Sequence, residues 1–121
     1  MKILLCDDDP MTLRTLEFQL KKDGHETLKT SNGREAAKIL DDNDDFDLLV
    51  VDLYMPIMTG LELVTYVRHY LQRVMPIIVV SRVNIKDNIN QALELGANAY
   101  INKPFNLEEL SNKVKNVMNP N

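Results

Sequence analysis

Five polar side chains of this 121-residue chain could together carry out phosphate chemistry. Each follows a short apolar run, and they are Asp7, Asp8, Asp52, Ser81 and Lys103. Three carboxylates placed together repel one another, and a divalent cation such as Mg²⁺, which prefers oxygen ligands, relieves that repulsion. A lysine and a hydroxyl beside them supply donors for phosphoryl oxygens. If the fold brings them together, these residues predict an Mg²⁺-assisted phosphoryl-transfer site with one aspartate as a possible nucleophile.

The apolar pattern of the sequence explains how residues so far apart could meet. Short runs rich in Leu, Ile and Val predict five strands, at residues 2–6, 26–30, 48–51, 77–80 and 99–101. The second run mixes polar and apolar residues, which is typical of an edge strand. The other four are apolar enough to be buried on both faces of a sheet.

Helix signals lie between the predicted strands. Asp9 followed by Pro10 is typical of an N-cap and the first residue of a helix. Asn32 and Asn106 each precede a glutamate by three residues, which is the spacing of a capping box. Gly96 is typical of the residue that ends a helix. The predicted helices cover residues 10–22, 32–40, 60–71, 86–95 and 106–118.

Five strands alternating with five helices predict an α/β fold with a doubly wound parallel sheet of flavodoxin-like strand order 2-1-3-4-5. In such sheets ligands bind beyond the carboxyl ends of the strands, where the winding reverses between the first and third strands. Asp7, Asp8 and Asp52 follow those two strands, while Ser81 and Lys103 follow the fourth and fifth. All five side chains are therefore expected at one edge of the sheet.

Composition limits the classes of function. The chain has 14 Lys and Arg against 18 Asp and Glu, a formal net charge of −4, whereas nucleic acid and anionic membranes demand a basic surface. The longest apolar run, residues 75–80, is far shorter than the ~20 residues of a membrane span. Cys6 is the only cysteine, so no internal disulfide can form and a buried structural role is favoured. We expect a single cytoplasmic domain without a nucleic-acid or membrane partner.

Acidic side chains also have ordinary structural roles. An aspartate after a strand commonly caps a helix, and capping is the preferred interpretation of Asp9. The acidic run at residues 41–45 is interpreted as a solvated loop and not as a metal site. Asp7 and Asp8 are not interpreted as caps or loop residues, because they are expected to converge with Asp52, which follows a separate strand.

Four segments of the chain form a specific pattern. They are LLCDDDP at residues 4–10, VVDLYMP at 50–56 followed by Gly60, VVS at 79–81, and GANAYINKPF at 96–105. With these segments the chain resembles the response regulator receiver domain of two-component signalling. In this order and at these spacings they are highly specific, and the resemblance extends from residue 2 to about 118. It implies that residues 1–121 form one receiver domain, a phosphorylation-dependent switch rather than an enzyme.

The resemblance also implies a role for each matching acidic residue. Asp52 would accept a phosphoryl group from the phosphohistidine of a histidine kinase or a histidine phosphotransfer protein. Asp8 and Asp52 would ligate Mg²⁺ directly, together with the backbone carbonyl of Tyr54. Asp7 would act on the ion through bound water.

Four further positions follow from the resemblance. Ser81 would hydrogen-bond a phosphoryl oxygen, and Lys103, preceding a cis bond to Pro104, would pair with the phosphoryl group. Tyr100 occupies the place of the family's switch aromatic. Phosphorylation would then change the surface formed by the fourth helix, fifth strand and fifth helix, and a downstream protein or a second copy of the chain would bind that surface. Arg82 departs from the family, which usually has a small residue after the hydroxyl.

Two other functions remain open from the sequence. Asp7 to Asp9 match the Asp-x-Asp motif of haloacid-dehalogenase-like phosphatases, although Pro10 and Met11 break the expected continuation. A pseudo-receiver that binds partners without being phosphorylated is the other alternative, although every functional position is filled. The sequence is compatible with either a free-standing receiver or a fragment of a longer regulator.

Overall fold

The computed structural model describes residues 1–82 and 86–119. Within them the strands are β1 (Lys2–Cys6), β2 (Glu26–Thr30), β3 (Leu48–Asp52), β4 (Ile77–Ser81) and β5 (Ala99–Asn102). The α-helices are α1 (Pro10–Lys22), α2 (Gly33–Asp42), α3 (Gly60–Thr65), α4 (Lys86–Leu95) and α5 (Leu107–Met118). The strands pair in parallel in the order β2-β1-β3-β4-β5. The predicted doubly wound α/β fold is therefore confirmed.

The central strands are buried and the edge strands are not. Every residue of β3 and β4 is buried, and β1 is buried except for the partly exposed Lys2. β2 lies at one edge and is mostly exposed, as its mixed polarity predicts. Three of the strands extend one residue beyond their predicted ends, so that Asp52, Ser81 and Asn102 are the last residues of β3, β4 and β5.

Two apolar cores hold the helices against the two faces of the sheet. Neighbouring residues of a strand point to opposite faces. Leu4 accordingly packs in the core beneath α2, α3 and α4, whereas Ile3 and Leu5 pack in the core beneath α1 and α5. Each such side chain contributes about 1.5–3 kcal/mol by leaving water. Packing on both faces fixes the strands, and with them the positions of the residues at their ends.

Local capping explains where the helices begin and end. Asp9 accepts a hydrogen bond from Met11 N at 3.2 Å and caps α1, as predicted. Asn32 caps α2 by accepting from Glu35 N at 2.9 Å, while the Glu35 carboxylate accepts from the residue before the cap. Gly96 has a φ of +119° at the end of α4, a left-handed conformation that glycine adopts without strain.

The third predicted helix, residues 60–71, is present but is not an α-helix throughout. From Tyr66 to Tyr70 it continues α3 as a π-helical segment. Its wider turn is closed by a bond from Leu71 N to Tyr66 O, five residues back, at 2.9 Å. Hydrophobic periodicity predicts that a helix continues here, but it does not distinguish an α-helix from a π-helical segment.

Two expectations from composition can be compared with the structure. The Cys6 side chain is buried, with Sγ 3.4 Å from Met55 Sδ. Burial raises the pKa of this thiol to about 12, so it stays protonated and unreactive. Over the described ranges, every helix is too short or too polar to cross a bilayer.

Candidate functional site

The site begins at the carboxyl ends of the neighbouring strands β1 and β3. Cys6 pairs with Val51, so the residues that follow, Asp7 after the end of β1 and Asp52 as the last residue of β3, lie side by side. One carboxylate oxygen from each of Asp7, Asp8 and Asp52 lies within 4.8 Å of the others. Asp7 and Asp52 are buried, whereas Asp8 is exposed. The structure thus brings together the three carboxylates singled out in the sequence, which we call the acidic cluster.

Lys103 enters the acidic cluster from the end of β5. Its ammonium Nζ lies 2.7 Å from Asp7 Oδ2 and 3.3 Å from Asp52 Oδ2. The backbone N–H of Lys103 donates to Ser81 O at 2.8 Å, which joins the ends of β4 and β5. The bond from Lys103 to Pro104 is cis, as expected. One ammonium is therefore shared between two carboxylates, and it is itself almost inaccessible, with 8% of the side chain exposed.

The charges in the cluster do not balance. Three carboxylates face one ammonium, and two of the three are buried. Burial raises the pKa of Asp52 above its ordinary value, and the charge of Asp7 raises it further, while Lys103 and the Tyr54 N–H act in the opposite direction. The net rise in the Asp52 pKa means that the fold disfavours the ionised form of this carboxyl. A cation with a preference for oxygen ligands would balance the excess of carboxylates.

The three carboxylates differ in their hydrogen bonds. Asp7 Oδ1 accepts from Asp9 N at 2.9 Å, and Oδ2 accepts from Lys103. Asp52 accepts from Lys103 and, at 3.4 Å, from Tyr54 N. Asp8 is the exposed member of the cluster. Asp7 is thus the most constrained of the three and Asp8 the most accessible from solvent.

Gly60 fixes the position of Asp52 from beneath. A Cβ at this position would collide with the backbone of Asp52 and Leu53, so only glycine allows the start of α3 to pack so closely. The Gly60 N–H also donates to Leu53 O at 2.9 Å. The sequence analysis named Gly60 only as part of a motif. It did not predict the packing of Gly60 against Asp52, because that contact depends on the tertiary fold.

Ser81 and Tyr54 flank Asp52 on either side. Ser81 ends β4, the strand next to β3, and is 2% exposed. Tyr54 is exposed, and besides its N–H contact with Asp52 its hydroxyl contacts the Asn88 side chain on α4. The sequence analysis predicted a role only for the backbone carbonyl of Tyr54. It did not predict the contact of the Tyr54 side chain with α4, and the sole hint in the sequence is that Tyr54 lies two residues after Asp52.

Tyr100 lies on β5, outside the acidic cluster. It pairs with Val79 and packs, half-buried, against the core beneath α2, α3 and α4. Lys113 Nζ of α5 lies 5.9 Å from the centre of its ring. Tyr100 is therefore neither free in solvent nor fully inserted into the core.

Arg82, the residue that departs from the family pattern, is exposed and directly follows Ser81. With Thr15, Lys103 and Phe105 it lines a cavity of about 460 Å³ next to the acidic cluster. A second cation thus borders the approach to Lys103.

The remaining acidic residues do not join the cluster. Asp9 is committed to capping α1, with Thr12 Oγ1 donating to it at 2.8 Å, which leaves the Asp-x-Asp interpretation without its second aspartate. In the acidic run at residues 41–45, Asp45 pairs with Lys2 at 2.7 Å and Asp41 accepts from the Tyr66 hydroxyl at 2.7 Å. These exposed side chains have separate partners and form no metal site, as expected, but the prediction of a loop is correct only for residues 43–45, because Asp41 and Asp42 are the last residues of α2.

Known proteins share both the sequence pattern and the fold of this chain. Residues 3–115 match the family model of the response regulator receiver domain. A chemotaxis protein CheY homolog of Campylobacter jejuni is 38% identical over 120 residues, which cover 98% of this chain and 92% of that protein. Chemotaxis protein CheY1 of Helicobacter pylori is 37% identical, with coverage of 100% and 99%. The structure of Vibrio cholerae chemotaxis protein CheY4 superposes with a TM-score of 0.89 at 30% identity, covering 96% of this chain and 97% of that one.

Proposed function

Since the chain belongs to the response regulator receiver domain family, we propose that Asp52 accepts a phosphoryl group from the phosphohistidine of a histidine kinase or a histidine phosphotransfer protein. Residues 1–121 would act as one receiver domain in the cytoplasm. Members of this family are signalling switches rather than enzymes that turn over an external substrate. The aspartyl phosphate would therefore be the signal itself.

The placement of Asp52 is the observation that carries this proposal. Its carboxylate is buried at the end of β3, lies within 4.8 Å of the other two carboxylates, and contacts Lys103 Nζ at 3.3 Å. In the transfer, a carboxylate oxygen of Asp52 attacks phosphorus while the P–N bond to the donor imidazole breaks. The imidazole leaves with the bonding electron pair and takes up a proton. The raised pKa of Asp52 makes its ionised oxygens more basic and hence more nucleophilic.

The acidic cluster fits a bound Mg²⁺. Its donors are carboxylate oxygens, and its three carboxylates exceed the one ammonium available to neutralise them. Asp8 and Asp52, with the backbone carbonyl of Tyr54, would hold the ion. Asp7 would reach it through water, because the two hydrogen bonds that its oxygens accept, at 2.9 and 2.7 Å, are shorter than the 3.4 and 3.3 Å bonds to Asp52. When bound, the ion supplies positive charge to the oxygens of the transferred group.

Lys103 and Ser81 would hold the phosphoryl group after transfer. Lys103 Nζ already contacts Asp52, so a phosphoryl oxygen on that carboxylate can take over the contact while Asp7 continues to orient the ammonium. Ser81, on the adjacent strand end, would donate its hydroxyl to a second phosphoryl oxygen.

The output surface would be the one formed by α4, β5 and α5. If Ser81 moves towards the phosphoryl group, the loop that follows it moves as well, and the half-buried Tyr100 gains room to insert further into the core. A differential interaction of a few kcal/mol would be enough to make a minor active state the main one. A downstream protein or a second copy of the chain would bind this surface.

Intact-mass spectrometry after incubation with acetyl phosphate and Mg²⁺ tests the proposal. We expect one added phosphoryl group on the wild-type chain and none on Asp52→Asn, because the amide is not a nucleophile. Asp41→Asn makes the same chemical change at the exposed end of α2 and should leave labelling intact. Equal labelling of Asp52→Asn would overturn the assignment. Sustained hydrolysis of an aryl phosphate would favour the phosphatase alternative instead.

A further inference from the structure

A second surface lies between α4 and the helix formed by α3 with its π-helical continuation. It is a groove of about 590 Å³, here called the α3–α4 groove. Its lining includes Leu61, Glu62, Tyr66, Tyr70, Gln91 and Leu95. None of its lining residues belongs to the acidic cluster, so the phosphoacceptor role does not account for it.

Two stacked tyrosines form the aromatic part of the groove. The ring centres of Tyr66 and Tyr70 are 4.9 Å apart, and the ring planes differ by only 14°. Tyr70 is 74% exposed, so one face of the stack is open to solvent. Both rings are carried by the π-helical segment, a rare distortion that is often found at functional sites.

Two carboxylates lie beside the stack. The Tyr66 hydroxyl donates to Asp41 Oδ1 at 2.7 Å, and this hydrogen bond raises the pKa of the phenol to about 12 although the charge of Arg73 acts in the opposite direction. Glu62 lines the groove and is exposed. Because an aromatic face is itself negative, the rings and the carboxylates favour the same sign of ligand charge.

The basic side chains that the structure describes near the groove include His69, which lines it, and Arg73, which donates to Asn43 O at 2.8 Å. Among the described residues that line the groove there is no lysine or arginine. The neighbouring Arg68 has its guanidinium committed elsewhere, to Gly96 O at 3.0 Å, Arg73 O at 2.8 Å and Asn98 Oδ1 at 2.9 Å. As far as the described residues show, a cation on the open face of the stack would therefore come from another molecule.

We propose that the α3–α4 groove docks a basic segment of a partner protein, with an arginine guanidinium against the open face of Tyr70. A planar guanidinium stacks on aromatic rings and is attracted by their faces. Glu62 lies eight residues before Tyr70, with Tyr66 between them, so its charge attracts the basic segment as a whole and does not pair with that guanidinium. Leu61 and Leu95 offer apolar contacts to the residues beside the arginine. This docking goes beyond the phosphoacceptor role and does not require phosphorylation of Asp52.

An NMR titration of the full chain with a capped Leu-Arg-Leu peptide tests the proposal. The matched probe is Leu-citrulline-Leu, which keeps the shape and removes the charge. We expect ring shifts at Tyr66 and Tyr70, and an affinity for the arginine peptide about two- to fivefold higher, as one exposed cation–π contact provides. Equal affinities of the two peptides would overturn the proposal.

Substitutions locate the binding on the groove. Tyr70→Ala should lower the affinity for the arginine peptide about two- to fivefold, whereas Tyr70→Phe keeps the ring and should leave the affinity unchanged. Glu62→Gln keeps a side chain able to accept from Thr59 N but removes the charge, and should also weaken binding. Phe18→Ala removes another exposed aromatic ring, on α1, and should have no effect.

Two results would contradict this location. One is unchanged binding by both Tyr70→Ala and Glu62→Gln. The other is a concentration-dependent shift of the same rings without peptide, because it would identify a second copy of the chain as the occupant.

Discussion

The acidic cluster and the acidic run at residues 41–45 are built from the same residue type and have opposite properties. In the cluster, aspartates from two separate strand ends converge, and two of them share one ammonium. In the run, neighbouring aspartates point into solvent, and Asp41 and Asp45 each have their own partner. The density of acidic residues along a chain therefore does not make a site. A site forms where acidic side chains from separate strand ends converge and are partly buried.

The pKa values show the same contrast. Burial and the charge of Asp7 raise the pKa of Asp52 above its ordinary value. The hydrogen bond from Lys2 lowers the pKa of Asp45 below its ordinary value. The fold thus works against the charge of Asp52 and favours the charge of Asp45, so matched changes in the two regions should have different consequences.

The largest difference is expected in the response to Mg²⁺. An ion that binds only the folded chain stabilises it by about 2.7 kcal/mol at a hundredfold excess over its Kd, and for a domain of this size each kcal/mol raises the Tm by roughly 4 °C. Asp8→Ala removes an exposed carboxylate of the cluster and should abolish most of that rise, as measured by thermal unfolding with and without Mg²⁺.

Asp44→Ala is the matched control for this experiment, since it removes an exposed carboxylate from the acidic run. It should keep the full Mg²⁺-dependent rise in Tm. If Asp44→Ala lost the rise and Asp8→Ala kept it, the ion would bind in the run and the comparison would be reversed.

Much of the fold and of the cluster was predictable because both depend on local patterns. Short apolar runs fix the strands, and parallel strands must end at a common edge, so Asp7 and Asp52 could be placed together before any coordinates. The π-helical segment at Tyr66–Tyr70 was not predictable, because its buried residue, Val67, follows the buried Val64 at a spacing of three that an ordinary α-helix also shows. Nor was the contact of Tyr54 with Asn88, which depends on how α4 packs against the loop after β3.

The second prediction concerns the stability of Asp52→Asn in the presence of a chelator. Because the pKa of Asp52 is raised by folding, the folded chain binds more protons than the unfolded chain between the two pKa values. The free energy of unfolding therefore falls as the pH rises through that window. Removing the charge should raise the free energy of unfolding at neutral pH by about 1 kcal/mol, the usual size of a single-substitution effect.

Urea denaturation at several pH values checks this prediction. The gain from Asp52→Asn should shrink as the pH falls and vanish below the ordinary pKa of aspartate, where Asp52 is protonated in both states. If Asp52→Asn were less stable than the wild type at neutral pH, Lys103 would already compensate the charge of Asp52. The charge of Asp52 would then add to stability, as we expect for Asp45 in the acidic run.

The smallest effect is expected from the same substitution in the run, Asp45→Asn. Asp45 has its pKa lowered by Lys2, so its charge adds stability above the ordinary pKa, and this contribution is lost as the pH falls through the lowered value. The sign is therefore opposite to that for Asp52, and Asp45→Asn should lower the free energy of unfolding at neutral pH. The decrease should be barely measurable and should disappear in high salt, because the pair is exposed, with 60% of the Asp45 side chain accessible. A salt-independent loss in the urea titration would mean that Asp45 is held as firmly as the buried acids.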